Sequence, residues 1–433
     1  MRDIRIVGGR PLHGSISIQG SKNAALPMMA ASLLHRGVSV LKGCPRIADV
    51  FCMEEILREL GAVTWWEDHD LYMDCTLADK TEISGIYTGK MRSSVILLGA
   101  MLGRSRKGRL GYPGGCVIGE RPIDLHLYAL RQLGADIEEG PFLISASCDR
   151  LTGGEISFAK CSVGATEQGI LAAVLARGDT CLKNCAREPE IQWLCRYLRT
   201  MGACIEGEGS DCIRITGVEG LEHGEMEVPP DRIVAGTYIC AAAATRGTII
   251  IENPPVDELD AFLEVYRKMG GQYKLKSGKL IADSSGIGYP LSFLETEVYP
   301  GFPTDLQSPV MAVLTTISGE SYIREQIFED RYKAAVELNR MGADITVEGR
   351  DARIIGGSSL RGCTVTAQEL RGGAALVLAA LAAEGVTRVQ GYQYIRRGYE
   401  HICEDLNTLG GMLEKDTGIR LYESIQLPKK LIN

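Results

Sequence analysis

Three kinds of side chain in this sequence could do chemistry together: cations at helix starts, a thiol in a glycine- and proline-rich loop, and a carboxylate just after a rigid turn. The cations are Lys22 in Ser21-Lys22-Asn23, Arg92 in Met91-Arg92-Ser93 and Arg371 in Glu369-Leu370-Arg371. Equivalent segments are Ser162-Val163-Gly164, Asp231-Arg232 and Thr304-Asp305, and all six lie 14 to 16 residues before a glycine that opens a strand. A helix start offers free N–H groups and the positive end of the helix dipole, so six starts facing one cleft would hold an anion. Each residue also has an ordinary reading. Ser21, Ser162 and Thr304 are good helix caps, and single Lys or Arg residues are usually solvated. Cations are disfavoured at helix starts, however, so three of them at equivalent positions break a local rule together, as functional residues do.

The thiol is Cys116, in the run Gly111-Tyr112-Pro113-Gly114-Gly115-Cys116-Val117-Ile118-Gly119-Glu120-Arg121-Pro122-Ile123-Asp124. This composition predicts a mobile surface loop. A thiol there has little core to fill, and the nearby Arg121 favours its thiolate, which points to a chemical role. Pro300-Gly301-Phe302-Pro303-Thr304-Asp305 presents a carboxylate as a general base requires, or as a simple helix cap. Ile395-Arg396-Arg397-Gly398-Tyr399-Glu400 puts two arginines before a helix, as a phosphate clamp or as surface charge.

The elements that must position these residues repeat six times. Glycines 61, 134, 202, 270, 342 and 410 follow apolar-periodic helices at intervals of 73, 68, 68, 72 and 68 residues. Each can take the left-handed conformation that ends a helix. Glycines 37, 108, 178, 247, 319 and 385 close a small-residue helix and open a strand, so each unit reads helix, strand, turn, helix, Gly, strands. The interval between the two marks is longest in the second unit, 26 residues against 23 to 25 elsewhere, and that unit carries Cys116. Val228-Pro229-Pro230 interrupts the pattern after three units with a stiff, extended connection. We expect two domains, residues 21–229 and residues 1–20 plus 230–433, with the N-terminal strand crossing between them.

Composition narrows the function. Forty-seven basic and 55 acidic residues give a net charge of −8, which argues against nucleic acid as a general partner. The longest apolar stretches, Ile233 to Ala244 and Ala374 to Ala383, fall short of the ~20 residues of a membrane span. Met1-Arg2-Asp3-Ile4-Arg5 has no apolar signal region behind it, so secretion is not expected. The 14 cysteines are scattered, mostly in apolar runs, which fits a reducing compartment. There is no Cys-x-x-Cys pair and no histidine pair at ligand spacing, so neither a metal nor a cofactor is expected.

Together, Gly20-Ser21-Lys22-Asn23-Ala24-Ala25-Leu26-Pro27, Pro113 to Gly119 with Arg121-Pro122, Ser162 to Glu167, Ala186-Arg187-Glu188-Pro189-Glu190, Phe302-Pro303-Thr304-Asp305 and Arg397-Gly398-Tyr399-Glu400 resemble the enolpyruvyl transferases nearly end to end. The resemblance implies an α/β fold of two inside-out barrels, each of three units, with a cleft that closes on substrate. It implies a cytoplasmic enzyme that transfers the enolpyruvyl group of phosphoenolpyruvate to the 3-hydroxyl of UDP-N-acetylglucosamine and releases phosphate, the first committed step of peptidoglycan synthesis. It makes Cys116 the general acid and Asp305 the base, with Lys22, Arg92, Arg121 and Arg397 on the phosphate and carboxylate, and Asn23 reaching the intermediate. Arg121, Pro122, Ile123, Asp124 and Leu125, with Lys160, Ser162, Val163, Gly164 and Ile327, resemble the nucleotide-sugar pocket. Arg331 and Arg371 resemble supporting cleft charges. Gln168-Gly169, where the family more usually has Asn-Ile, and Cys181 and Cys185 depart from the pattern away from the chemistry. Two alternatives stand beside this reading: the shikimate-pathway member of the family, which lacks the loop cysteine, and a non-catalytic nucleotide-sugar binder.

Overall fold

The computed structural model describes residues 3–115 and 118–415; Cys116 and Val117 lie outside the described residues. Each unit begins with a helix rich in small apolar residues on every side, which can be stable only when surrounded by protein. All fourteen residues of Arg232–Thr245 are buried, and so are nine of eleven in Lys22–Ser32. The helices Lys22–Ser32, Leu97–Ser105 and Val163–Ala173 pack on one another, as do Arg232–Thr245, Gln307–Thr315 and Leu370–Ala382. Each trio is the centre of an apolar core. One core draws on Ala24 to Val228; the other draws on Ile4 to Ile18 and Ile233 to Leu413.

The strand after each central helix buries alternate side chains. In Asp179–Lys183, for example, Thr180 and Leu182 face the core while Asp179 and Lys183 face water. The second helix of a unit is amphipathic: Asp260–Lys268 buries Phe262, Leu263, Val265 and Tyr266 on one face. It ends, as expected, on a left-handed glycine; Gly61, Gly134, Gly202, Gly270, Gly342 and Gly410 have φ between +89° and +107°. A side chain at these positions would be strained, whereas glycine is not.

The described residues form six four-stranded sheets wrapped outside the helices, which is the inside-out arrangement. Most sheets follow one plan, a short parallel edge strand, the strand after the central helix, and an antiparallel hairpin. Val38–Lys42 has no preceding unit to supply its edge, so Glu225–Glu227 pairs with it in parallel from the end of the third unit. In the other half His13–Ile16 pairs with Thr248–Ile251, and Ile4–Val7 lies between Val386–Gln390 and Leu413–Lys415. The N-terminal strands therefore complete the sheets of units four and six and leave no gap in the ring.

The chain crosses between the two cores twice at one place. Gly20 bridges Pro230, the Ser21 amide donates to the Pro229 carbonyl at 2.7 Å, and the Asp231 amide donates to the Gln19 carbonyl at 2.9 Å. Asp231 caps its own helix and also accepts from the Lys22 amide at 3.1 Å, so the first and fourth helix starts are fastened side by side. Ser21 and Ser162 cap as expected, but Thr304 does not. Its hydroxyl donates to Glu325 at 2.9 Å, and Thr304–Leu306 is a 3₁₀ turn ahead of the helix Gln307–Thr315. Arg92 likewise opens a 3₁₀ turn, Arg92–Ile96. Among the described residues no helix is long and apolar enough to cross a membrane.

Candidate active site

A cavity of about 690 Å³ separates the two cores. Lys22, Asn23, Arg92, Arg121, Pro122, Asp124, Leu125, Lys160, Ser162, Val163 and Gly164 line one wall, and Asp305, Ile327, Arg331, Arg371 and Arg397 line the other. Residues as far apart in the chain as Lys22 and Arg397 thus meet in one space. Ile123 does not line it. Its position just before the helix Asp124–Gln132 turns the side chain onto the first core instead. Cys116 lies outside the described residues, but its loop neighbours are placed. The Asp330 amide donates to the Ile118 carbonyl at 3.1 Å, and the Arg121 guanidinium lies over the Phe328 ring, 5.4 Å from its centre. The two walls therefore touch at this rim.

Two carboxylates, the buried Asp49 and the half-buried Asp305, organise the cations. Asp49, in the first turn of Ala48–Leu60, accepts from Lys22 Nζ at 3.0 Å and from Arg397 Nε at 2.8 Å, so it joins one cation from each wall. Burial alone would push its carboxyl up, but Lys22 and Arg397 outweigh burial and hold it below the usual range. Asp305 accepts from Arg331 at 2.6 Å and Arg371 at 2.8 Å. Burial again opposes the charge, and the two guanidiniums, with help from Lys22, hold the carboxyl far below its ordinary value. Asp305 is therefore firmly ionised and weakly basic while both contacts last. Its side chain is still 26% exposed to the cavity, so a ligand can reach it.

Arg92 faces different surroundings. It donates to the Pro122 carbonyl at 2.7 Å, and burial together with the neighbouring Arg121 pushes it down to about 10, still charged at neutral pH. Two guanidiniums that repel each other in a partly buried pocket are poised for an anion. Behind them His126 is buried, and burial with these two arginines pushes its imidazole down to about 3, so the ring is neutral at neutral pH. On the Asn23 side lies an acidic group that the sequence did not single out for a role. Glu190 accepts from Asn23 and from Arg232, each at 3.4 Å. Burial and the charge of Glu190 push Glu188 up, and burial pushes Glu167 well up. Asp49 and Glu190 are the site residues to which sequence reasoning assigned no role, and Arg232 was named only as part of a helix start. Glu190 had a signal, since two glutamates flanking Pro189 at a helix start face its free N–H groups. Asp49 had none, because an acidic residue in a first helical turn is ordinary.

A cleft between two three-unit barrels, with cations converging from both walls on shared carboxylates, is built to hold a substrate carrying more than one anionic group. Comparison with known proteins agrees with the architecture. The sequence profile of EPSP synthase (3-phosphoshikimate 1-carboxyvinyltransferase) matches residues 6–406. The chain is 43% identical over 410 residues to UDP-N-acetylglucosamine 1-carboxyvinyltransferase 2 of Caldanaerobacter subterraneus subsp. tengcongensis, covering 95% of this chain and 98% of the relative. It is 42% identical over 416 residues to UDP-N-acetylglucosamine 1-carboxyvinyltransferase of Oleidesulfovibrio alaskensis, covering 96% and 99%. The solved enolpyruvyl transferase NikO from Streptomyces tendae superposes with a TM-score of 0.86 at 25% identity, over 96% of this chain and 99% of that one. An EPSP synthase structure from Acinetobacter baumannii, 18% identical with a TM-score of 0.72 over 96% and 100%, shares the fold. The chain belongs to the EPSP synthase family of enolpyruvyl transferases.

Proposed function

We propose that this chain transfers the enolpyruvyl group of phosphoenolpyruvate to the 3-hydroxyl of UDP-N-acetylglucosamine, in the cytoplasm, as the first committed step of peptidoglycan synthesis. The observation that supports the reading is the meeting of Lys22 and Arg397 on Asp49, one cation from each wall beside the cavity. The relatives named for this reaction support the choice of acceptor.

Lys22, Arg92, Arg121 and Arg397 take the phosphate and carboxylate of phosphoenolpyruvate, already oriented before the anion arrives. Arg121, Pro122, Asp124, Leu125, Lys160 and Ser162 to Gly164, with Ile327 facing them from the other wall, hold the nucleotide sugar. Asn23 reaches the intermediate, and Arg331 and Arg371 support the charge. The sugar 3-oxygen forms a bond to C2 of phosphoenolpyruvate while the C2–C3 π pair takes a proton from the Cys116 thiol. The hydroxyl proton passes to Asp305, which becomes basic enough only as one of its two arginine contacts lets go. The tetrahedral adduct then loses phosphate by breaking the C2–O bond, and the Cys116 thiolate takes a proton back from C3, which restores both the double bond and the thiol.

Phosphate release from phosphoenolpyruvate that depends on UDP-N-acetylglucosamine, with a product heavier by the enolpyruvyl group, tests the reading. Dependence on a phosphorylated shikimate instead, or nucleotide-sugar binding with no release, would replace it. Replacing Cys116 by Ala is expected to lower turnover by about 10²–10⁴-fold while the nucleotide sugar still binds. Fosfomycin is expected to alkylate Cys116, read as one covalent adduct on that peptide by mass spectrometry.

A further inference from the structure

Outside the cleft, His69, Glu400 and His401 converge across the junction of the two cores. His69 lies in the turn between the strands Val63–Glu67 and Asp70–Asp74, whereas Glu400 and His401 precede the helix Ile402–Thr408. The Glu400 side chain is only 5% exposed. A buried carboxylate needs a cationic partner or a metal. Among the described residues no Lys or Arg side chain forms an ion pair with Glu400. Its Oε2 accepts from the Arg46 amide at 3.0 Å, while its Oε1 faces His69 Nε2 at 2.9 Å and His401 Nε2 at 3.2 Å.

One ligand atom from each of the three residues lies within 4.8 Å of the others. Donors bound to one tetrahedral ion by bonds of about 2.0–2.1 Å are roughly 3.3 Å apart, close to the two Glu–His separations. Two imidazole nitrogens and one carboxylate oxygen suit a borderline divalent ion, with water completing the shell. The histidine side chains are 53% and 56% exposed, which leaves them free to turn toward an ion and gives the ion a path in.

We infer that His69, Glu400 and His401 form a site for a divalent transition-metal ion of the zinc class, which ties the first unit to the loop that carries Arg397. The same loop already holds across the junction, since the Arg46 amide donates to the Glu400 carboxylate at 3.0 Å and the Ala48 amide donates to the Arg396 carbonyl at 2.9 Å. Metal bonds here fix the loop while Arg397 grips Asp49, so an occupied site stiffens the junction behind the cleft.

Titration of the full chain with Co²⁺, followed by visible spectroscopy, tests the site. The expected result is one equivalent bound, with ligand-field bands, no sulfur-to-cobalt charge-transfer band, and displacement by Zn²⁺. His69→Gln and His401→Gln replace exposed side chains, and each is expected to weaken Co²⁺ by at least about tenfold. Unchanged affinity in the double variant, a thiolate spectrum or no retained Co²⁺ would overturn the inference. If the double variant fails to fold, imidazole ¹⁵N shifts of His69 and His401 on adding Zn²⁺ to the unmodified chain decide the matter: movement of both supports the site, and movement of neither removes it.

Discussion

Asp49 and Asp305 solve one electrostatic problem in two ways. Asp49 is buried and Asp305 half-buried, and each is kept ionised by two contacting cations against the pull of desolvation. The cations on Asp49 come from opposite walls, Lys22 from the first helix of the chain and Arg397 from the last unit. The cations on Asp305 come from the same wall, Arg331 and Arg371. Asp49 therefore depends on how the two cores stand relative to each other, whereas Asp305 feels the opposite wall only through the lesser charge of Lys22. The first arrangement gathers charge only when the walls are together. The second is built once, when one half folds.

The comparison is most exposed to changes in the cations themselves. Lys22→Ala and Arg397→Ala are each expected to lower kcat/KM for phosphoenolpyruvate by about 10²–10³-fold, read in steady-state assays. Equal losses of fold stability without loss of activity would reduce Asp49 to a structural bridge. Arg371→Ala leaves half-buried Asp305 with Arg331 alone and is expected to cost about 1.5–3 kcal/mol of unfolding free energy, measured by urea denaturation. Asp305 keeps Arg331 and Asp49 keeps Arg397, but the Lys22 side chain is 14% exposed against 3% for Arg371, so the same change at Lys22 is expected to cost less; a reversed order breaks the contrast.

Acid provides a gentler test. The folded-state carboxyls of Asp305 and Asp49 lie below their unfolded value of about 3.9, so their stabilisation is fully present above that pH and is lost as pH falls below it. The urea midpoint is expected to drop on acidification toward about pH 3, and less steeply in Asp305→Asn than in the parent. The smallest effect is expected for Ile123→Ala, which touches the first core and not the cavity. Its KM for the nucleotide sugar should stay within about twofold, with a stability loss of about 1 kcal/mol. A large rise in KM would show that Ile123 reaches the ligand after all.

Much of the fold was legible because it is written in local periodicity. The six helix-ending glycines and the all-round apolar helices needed no knowledge of distant residues. Arg371 and Asp305 were each singled out by breaking or ending a local pattern, yet their contact with each other was not readable. Thr304 looked like a cap, but Glu325, 21 residues on, competes for its hydroxyl. Ile123 sat inside a motif whose neighbours face the cavity, and only the start of the following helix turned it to the core. Asp49 was silent for a different reason, since acidic residues at helix starts are common on any protein.

By itself the sequence determined the elements: where helices stop, which faces are apolar, and which side chains are chemically out of place. Those properties depend on residues within a few turns of one another. Tertiary structure alone decided which charges meet. Asp49 and Arg397 are 348 positions apart, and His69 and Glu400 are 331 apart. Electrostatic pairing acts over a few ångströms of space and is indifferent to separation along the chain, so the thiol, cations and carboxylates could be named from their local settings, but their partners could not.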